Sequence, residues 1–256
     1  MPEPRLRDLI VDSRPLELRV ISGEEPALVF LHEGLGSIGL WRGFDERVAA
    51  ATRRGTLAYS RAGHGWSGPA DLPRSPDFMH HEALVVLPAL LEELERPRPP
   101  ILVGHSDGAS IALIYAGAGH PVSGMVLLAP HVFVEPASIT EIEAARARFE
   151  TTDLPEKMAR HHHDPVATFY GWNDIWLDPD FRDWNIEDSL PAIDCPTLLI
   201  QGVDDEYGTL AQIDVIEAGI SGPVGRLILE DCGHSPHLDQ PERVLDAITR
   251  FVGEDR

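Results

Sequence analysis

Three residues of this 256-residue chain could together make a nucleophile: Ser106, Asp205 and His234. A serine hydroxyl attacks poorly at neutral pH. It needs a base within hydrogen-bond reach, and the base needs a carboxylate to fix its tautomer and to stabilise the imidazolium that forms. Ser106 sits in Gly104-His105-Ser106-Asp107-Gly108, a Gly-x-Ser-x-Gly pattern. That pattern suits a sharp turn from strand to helix, because a Cβ at either glycine position would collide with a neighbouring element. The turn lifts the hydroxyl above the sheet edge and aims a helix N-terminus at it. Free N–H groups and partial positive charge there suit a developing oxyanion. Taken alone, the pentapeptide also fits a plain turn with a capping serine, so its flanks matter.

Those flanks read as strand before (Ile101-Leu102-Val103) and small-residue helix after (Ile111 to Ala116). Further apolar runs at 27–32, 56–60, 124–130, 196–202 and 226–230 predict buried strands, and Leu16 to Val20 alternates as an early strand near an edge. Helical spacing appears over 40–51, 78–95, 210–218 and 241–252, with Arg96-Pro97-Arg98-Pro99-Pro100 stopping the second of these. Repeated strand, loop and helix units predict an α/β fold with a doubly wound, mostly parallel sheet. In such a sheet the C-terminal strand ends share one edge, where ligands bind. The loops carrying Gly34, Ser106, Asp205 and His234 all follow strand ends.

The rhythm breaks from about His131 to Leu190, which reads as short helices, for example 139–149 and 154–162, and holds Trp172, Trp176 and Trp184. This predicts a helical cap inserted late in the sheet order, over a pocket. The expected organisation is a single domain, with a core at 1–134 and 190–256 and the cap at 135–189.

Composition narrows the partners. Asp plus Glu total 42 against 21 Lys plus Arg, a formal charge of −21, so the surface should repel nucleic acid and anionic membrane. No apolar run is long enough to cross a bilayer, and no apolar segment follows Met1 to Arg5 as a secretory signal would require. Cys195 and Cys232 bracket two predicted neighbouring parallel strands from opposite ends. That separates them by roughly 15 Å, against a bridgeable limit of about 7 Å. Both read as free thiols in a cytoplasmic protein. The expected partner is a small molecule, with no cofactor and no metal; a homo-oligomer stays open.

Together the motifs resemble the α/β-hydrolase fold superfamily over nearly the whole chain. His32-Glu33-Gly34-Leu35-Gly36 resembles its oxyanion loop, Gly63-His64-Gly65-Trp66-Ser67 its Gly-x-Gly-x-Ser loop, and Gly104 to Gly108 its nucleophile elbow. Gly202-Val203-Asp204-Asp205 resembles its acid turn and Gly233-His234 its histidine loop. The resemblance implies Ser106 as nucleophile, His234 as general base and acid, and Asp205 as orienting carboxylate, with Asp204 the alternative. It implies backbone N–H groups of Gly34 and Asp107 as oxyanion donors, with Leu35 the alternative to Gly34. His131, Trp172 and Trp176 are candidate pocket residues.

Two positions depart from the family pattern. Glu33 stands where glycine is common, and Asp107 where a bulky apolar residue is common. Carboxylates aimed at an oxyanion would oppose its charge, so both are expected to point away and bond the backbone or a neighbouring loop. His161-His162-His163 is read as a solvated helix end, because adjacent helical side chains diverge by about 100° and cannot share one ion. His105 and His237 are read as structural. The function expected is a serine hydrolase cleaving a carboxylic ester of a small, largely apolar substrate through an acyl-enzyme. Lactone, thioester or carbon–carbon cleavage by the same residues, and a non-turnover binding protein, are the alternatives.

Overall fold

The computed structural model describes residues 5–94 and 98–253 of the chain. The leader reading at residues 1–4 and the helix stop at 95–97 lie outside the described residues. Apolar runs that alternate between two covered faces build the sheet. Its strands are β1 (Arg5–Val11), β2 (Arg14–Ile21), β3 (Glu24–Leu31), β4 (Arg54–Tyr59), β5 (Ile101–His105), β6 (Gly124–Leu128), β7 (Thr197–Gly202) and β8 (Val224–Leu229). Their order is β1-β2-β4-β3-β5-β6-β7-β8. The β1–β2 and β2–β4 pairs are antiparallel, and all the others are parallel.

Along the central strands, alternate residues enter opposite cores. Leu28, Phe30, Ile101, Val103, Val126, Leu128 and Ile200 pack beneath the helices Phe44–Thr52 and Pro241–Gly253. Val29, Leu31, Leu102, Met125, Leu127 and Leu199 pack beneath the helix Asp107–Gly117 and the segment 78–93. A strand buried on both faces is apolar at nearly every position, which is why these runs show no alternation. Each fully buried Leu, Ile or Val contributes about 1.5–3 kcal/mol relative to exposure.

The sheet is doubly wound and mostly parallel, with a helical insertion before β7. Three details differ from the sequence reading. The alternating strand near the edge is β2, and β1 lies outside it; β1 exposes Leu6 and Ile10, so it carries no clear burial pattern. The helix expected at 40–51 is split, because Arg42 and Gly43 both adopt left-handed backbone (φ 49° and 77°) between a 3₁₀ turn at Ile38–Trp41 and the helix Phe44–Thr52. The helix expected at 154–162 stops at Met158, where the chain turns so that the His163 N–H donates to the Gly65 carbonyl at 2.8 Å.

The insertion consists of the helices Pro136–Thr151, Leu154–Met158 and Pro165–Leu177, followed by 3₁₀ turns at Pro179–Phe181 and Glu187–Ala192. Trp172 and Trp176 are four residues apart on one helix, so they share a face. Among the described residues no helix is long and apolar enough to cross a membrane. Cys195 and Cys232 are buried and free, and they lie before β7 and after its parallel neighbour β8.

Candidate active site

The chain leaves β5 at His105 and enters the helix Asp107–Gly117 through Ser106, whose backbone sits at φ 52°, ψ −117°. That region costs a non-glycine residue about 1–3 kcal/mol and persists only where the surroundings enforce it. Here they do. A Cβ at Gly108 would lie 2.0 Å from the Leu31 carbonyl oxygen. The helix therefore abuts the end of β3 and pushes Ser106 out at its N-terminus.

Ser106, His234 and Asp205 come from loops after β5, β8 and β7, and they form one chain of hydrogen bonds. The Ser106 hydroxyl lies 2.9 Å from His234 Nε2. His234 Nδ1–H donates to Asp205 Oδ1 and Oδ2 at 2.9 and 3.0 Å. Asp205 also accepts the Tyr207 and Gly208 N–H groups at 2.8 and 3.2 Å, and the Gln201 side-chain amide at 2.7 Å. Asp204 is exposed.

Burial raises the Asp205 carboxyl pKa, but the His234 charge and the backbone donors outweigh it and hold it low. Burial lowers the His234 pKa, but Asp205, then Glu33 and Glu206, outweigh it and hold it above the ordinary value. A hydroxyl bonded to this imidazole can hand over its proton as it attacks, and the carboxylate stabilises the imidazolium formed. His105, kept neutral first by burial and then by His237, donates from Nε2 to the His234 carbonyl at 2.7 Å and so ties the histidine loop to the elbow.

The loop after β3 is held from behind. Arg61, 1% exposed, donates from Nη1 to the His32 carbonyl at 2.5 Å and from Nη2 to the Glu33 carbonyl at 2.9 Å. His64 Nε2–H donates to the Gly34 carbonyl at 3.0 Å. The Leu35 N–H is engaged by the Glu33 carboxylate at 2.5 Å. Among the described residues the N–H groups of Gly34 and Asp107 donate to no protein acceptor. Trp172 presses on this loop so closely that a Cβ on Gly34 would sit 2.3 Å from its indole.

Ser106 and His234 open into a cavity of about 220 Å³ whose wall includes Glu33, Leu35, His131, Ile142, Trp172, Trp176, Glu206 and Tyr207. The three candidate pocket residues, His131, Trp172 and Trp176, are all in that wall. Glu33 bonds a neighbouring backbone group, yet its side chain stays in the cavity wall, and burial raises its pKa. Asp107 bonds no backbone group among the described residues. Its carboxylate is 2% exposed, with Oδ2 4.0 Å from Arg61 Nη2 and Oδ1 3.7 Å from His131 Nε2.

The triple histidine lies beyond the end of the helix Leu154–Met158, and of the three only His163 is exposed, with His161 half-buried. His162 is 1% exposed, accepts the Gly65 N–H at 3.1 Å through Nδ1, and is pushed down to about 4 by burial. Among the described residues no group of three or more His, Cys, Asp or Glu could hold a metal ion.

Sequence reasoning missed Arg61, His64, Gln201 and Glu135 as supports. Glu135 accepts the Thr209 N–H and hydroxyl at 2.9 and 2.7 Å and the Gln212 amide at 2.9 Å, tying the start of the insertion to the acid loop. One signal was available: Gln201 interrupts an apolar strand, and a buried polar side chain requires a partner.

Comparison with known proteins places this geometry. The model of the alpha/beta hydrolase family matches residues 28–247. The chain is similar to the sn-1-specific diacylglycerol lipase ABHD11 of Mus musculus, 30% identical over 94% of this chain and 87% of that protein. It is also similar to the proline iminopeptidase of Lactobacillus crispatus (strain ST1), 23% identical over 90% and 91%. Among solved structures, a thermophilic esterase from Thermogutta terrifontis superposes with a TM-score of 0.74 at 19% identity, covering 98% of this chain and 99% of that one. The fold, the family model and the lipase likeness agree: the chain belongs to the alpha/beta hydrolase family.

Proposed function

We propose that this hydrolase is a serine esterase that cleaves a carboxylic ester of a small, largely apolar substrate through an acyl-enzyme. The observation that carries the reading is the hydrogen-bond chain from the Ser106 hydroxyl through His234 to Asp205, opening into the cavity. Ser106 Oγ attacks the ester carbonyl and its proton passes to His234 Nε2. The N–H groups of Gly34 and Asp107 receive the oxyanion. His234 then protonates the leaving alcohol, and water, activated by the same ring, releases the acid.

Charge and volume support an uncharged, compact substrate. Glu33 and Glu206 lie in the cavity wall, and no Lys or Arg is in it. An anionic substrate would be repelled, while a neutral ester enters and its product acid is pushed out once ionised. About 220 Å³ is below the range of about 300–1,000 Å³ typical of sites for drug-sized ligands, which favours a short acyl group under Trp172 and Trp176.

Release of p-nitrophenol from acyl esters of increasing chain length, with Ser106→Ala alongside, tests this. Turnover that is lost in the variant supports the reading. Labelling of Ser106 by a fluorophosphonate with no turnover of any ester would replace the ester by a lactone, a thioester or a carbon–carbon bond. Neither turnover nor labelling would sink the enzyme reading in favour of a binding protein.

A further inference from the structure

A second cavity, of about 430 Å³, shares no wall residue with the catalytic one. One wall comes from the segment 63–74 after β4, and the other from His163, Asp164 and Ala167 at the start of the helix Pro165–Leu177. The two walls are tied together. The Gly65 N–H donates to His162 Nδ1 at 3.1 Å, and the His163 N–H donates to the Gly65 carbonyl at 2.8 Å. The Thr168 hydroxyl donates to the Gly63 carbonyl at 2.6 Å. The space between the walls is therefore set by the fold. Its volume lies within the range of about 300–1,000 Å³ typical of small-molecule sites.

Most of the lining is apolar. Trp66 is 59% and Leu72 47% exposed, and both share the wall with Pro15, Pro69, Ala70 and Ala167. Large apolar side chains left exposed around one concavity mark a binding site.

One guanidinium borders this apolar space. Arg74 is in the wall and half-buried, and its Nη2 donates to the Ala62 carbonyl at 3.4 Å. Among the described residues it has no other hydrogen bond and no carboxylate within ion-pair distance. Its Nε and Nη1 stay open, whereas the Arg61 Nε is closed off without a partner. Arg74 Nε lies against the cap helix at Gly171, where a Cβ would sit 3.5 Å from it and 2.9 Å from Leu72 Cδ2. Burial, then the Arg61 charge, lower the Arg74 pKa, with Glu82 and Asp107 acting against them. A guanidinium only donates, so the partner it lacks is an acceptor, and a carboxylate also matches its charge. Asp164, the carboxylate in this wall, is exposed and already caps the helix by accepting the Ala167 N–H at 2.9 Å.

We infer that this cavity is a second ligand site, for a small carboxylate with an apolar body, the carboxylate on Arg74 and the body against Trp66 and Leu72. The site stands apart from the ester reading, although acids of this class are what that reaction would release.

Calorimetry with the native chain at neutral pH compares benzoate with benzamide, which has the same shape and no charge. Benzoate should bind about tenfold or more tighter, as expected of charge-assisted hydrogen bonds to a partly buried guanidinium. Arg74→Gln should bring that ratio towards one, and Arg74→Lys should keep part of it. Ala167→Phe fills the cavity and leaves Arg74 in place. It should weaken both ligands, and it decides the matter if the Arg74 variants do not fold. Leu35→Trp, which fills the catalytic cavity instead, should leave benzoate binding unchanged.

No binding of benzoate, equal affinity for the two ligands, a ratio unchanged in folded Arg74→Gln, or affinities unchanged in Ala167→Phe would each overturn the second site. Loss of benzoate binding in Leu35→Trp would place the acid beside Ser106 and overturn it as well.

Discussion

Arg61 Nη2 donates to the Glu33 carbonyl at 2.9 Å, so a side chain just beyond β4 sets the plane of the peptide that carries the Gly34 N–H. A trans peptide points its C=O and N–H in opposite directions. Pinning the carbonyl from behind therefore aims the N–H forward. The second guanidinium nitrogen fixes the preceding carbonyl, of His32, in the same way. A planar fork can hold two adjacent carbonyls at once, whereas an ammonium on a flexible stem cannot.

Arg61→Lys should therefore lower kcat by about 10²–10³, the scale of losing one oxyanion donor, with a much smaller change in KM. Arg61→Met should also unfold at lower denaturant, because it strands the Asp107 carboxylate and two carbonyls; loss of one member of a buried pair costs about 3–5 kcal/mol. Steady-state kinetics and urea unfolding of the two variants check this. An Arg61→Lys chain with native kcat would show that the fork has no part in placing the amide.

A second prediction concerns pH. In the proposed reaction His234 serves as a base only when neutral, and its pKa is held above the ordinary 6.5 by Asp205, Glu33 and Glu206 acting against burial. The acidic limb of kcat/KM should accordingly lie above pH 6.5. Glu33→Gln keeps an acceptor for the Leu35 N–H but removes a negative charge that favours the imidazolium. The limb should move to lower pH in this variant, and a pH–rate profile that moves the other way, or not at all, would refute the assignment.

The two adjacent aspartates should separate cleanly. Asp205→Asn keeps the shape but loses the charge that fixes the His234 tautomer, and kcat should fall by about 10³–10⁴. Asp204 is exposed, so Asp204→Asn should stay within about threefold of native, as surface substitutions usually do. Parallel assays on one ester series decide between them.

The elbow's geometry predicts a trade between stability and activity. Ser106→Gly and Ser106→Ala should both be inactive, but the glycine variant should be the more stable of the two by about 1 kcal/mol, because it relieves the φ 52° backbone. Gly108→Ala should be destabilised by about 3 kcal/mol or more, since its Cβ would meet the Leu31 carbonyl at 2.0 Å. Thermal unfolding of the three variants gives the ranking.

Glu135 offers a test away from the chemistry. Its carboxylate accepts three hydrogen bonds that join the start of the insertion to the acid loop. Glu135→Ala strands those donors and should cost about 2–4 kcal/mol. Asp205 lies four residues before Thr209, so kcat should fall as well. Native stability with reduced kcat, or the reverse, would show that the two elements are not coupled through Glu135.

Part of this protein is legible from its chain alone, because local chemistry determines it. Gly104 and Gly108 flank Ser106 at a spacing that suits a strand-to-helix elbow, and the apolar run before it and the small-residue run after it supply the context. The apolar runs of β3, β5, β6 and β7 announce strands covered on both faces. Those features are short-range, and a parallel sheet necessarily gathers its strand ends on one edge.

What the sequence could not show depends on residues far apart in the chain. Asp205 bonds His234 across 29 positions while the equally acidic Asp204 faces solvent. Arg61 reaches back 28 residues to aim a peptide plane. His162 leaves solvent to bond Gly65, 97 residues away. Asp107, expected to bond the backbone or a neighbouring loop, bonds no backbone group among the described residues and lies 3.7 Å from His131 in the loop after β6. Side-chain direction and desolvation are properties of the packed neighbourhood. Propensity and spacing therefore specified which elements form and in what order, and only their packing decided which polar groups are paired, which are buried, and which face the cavity.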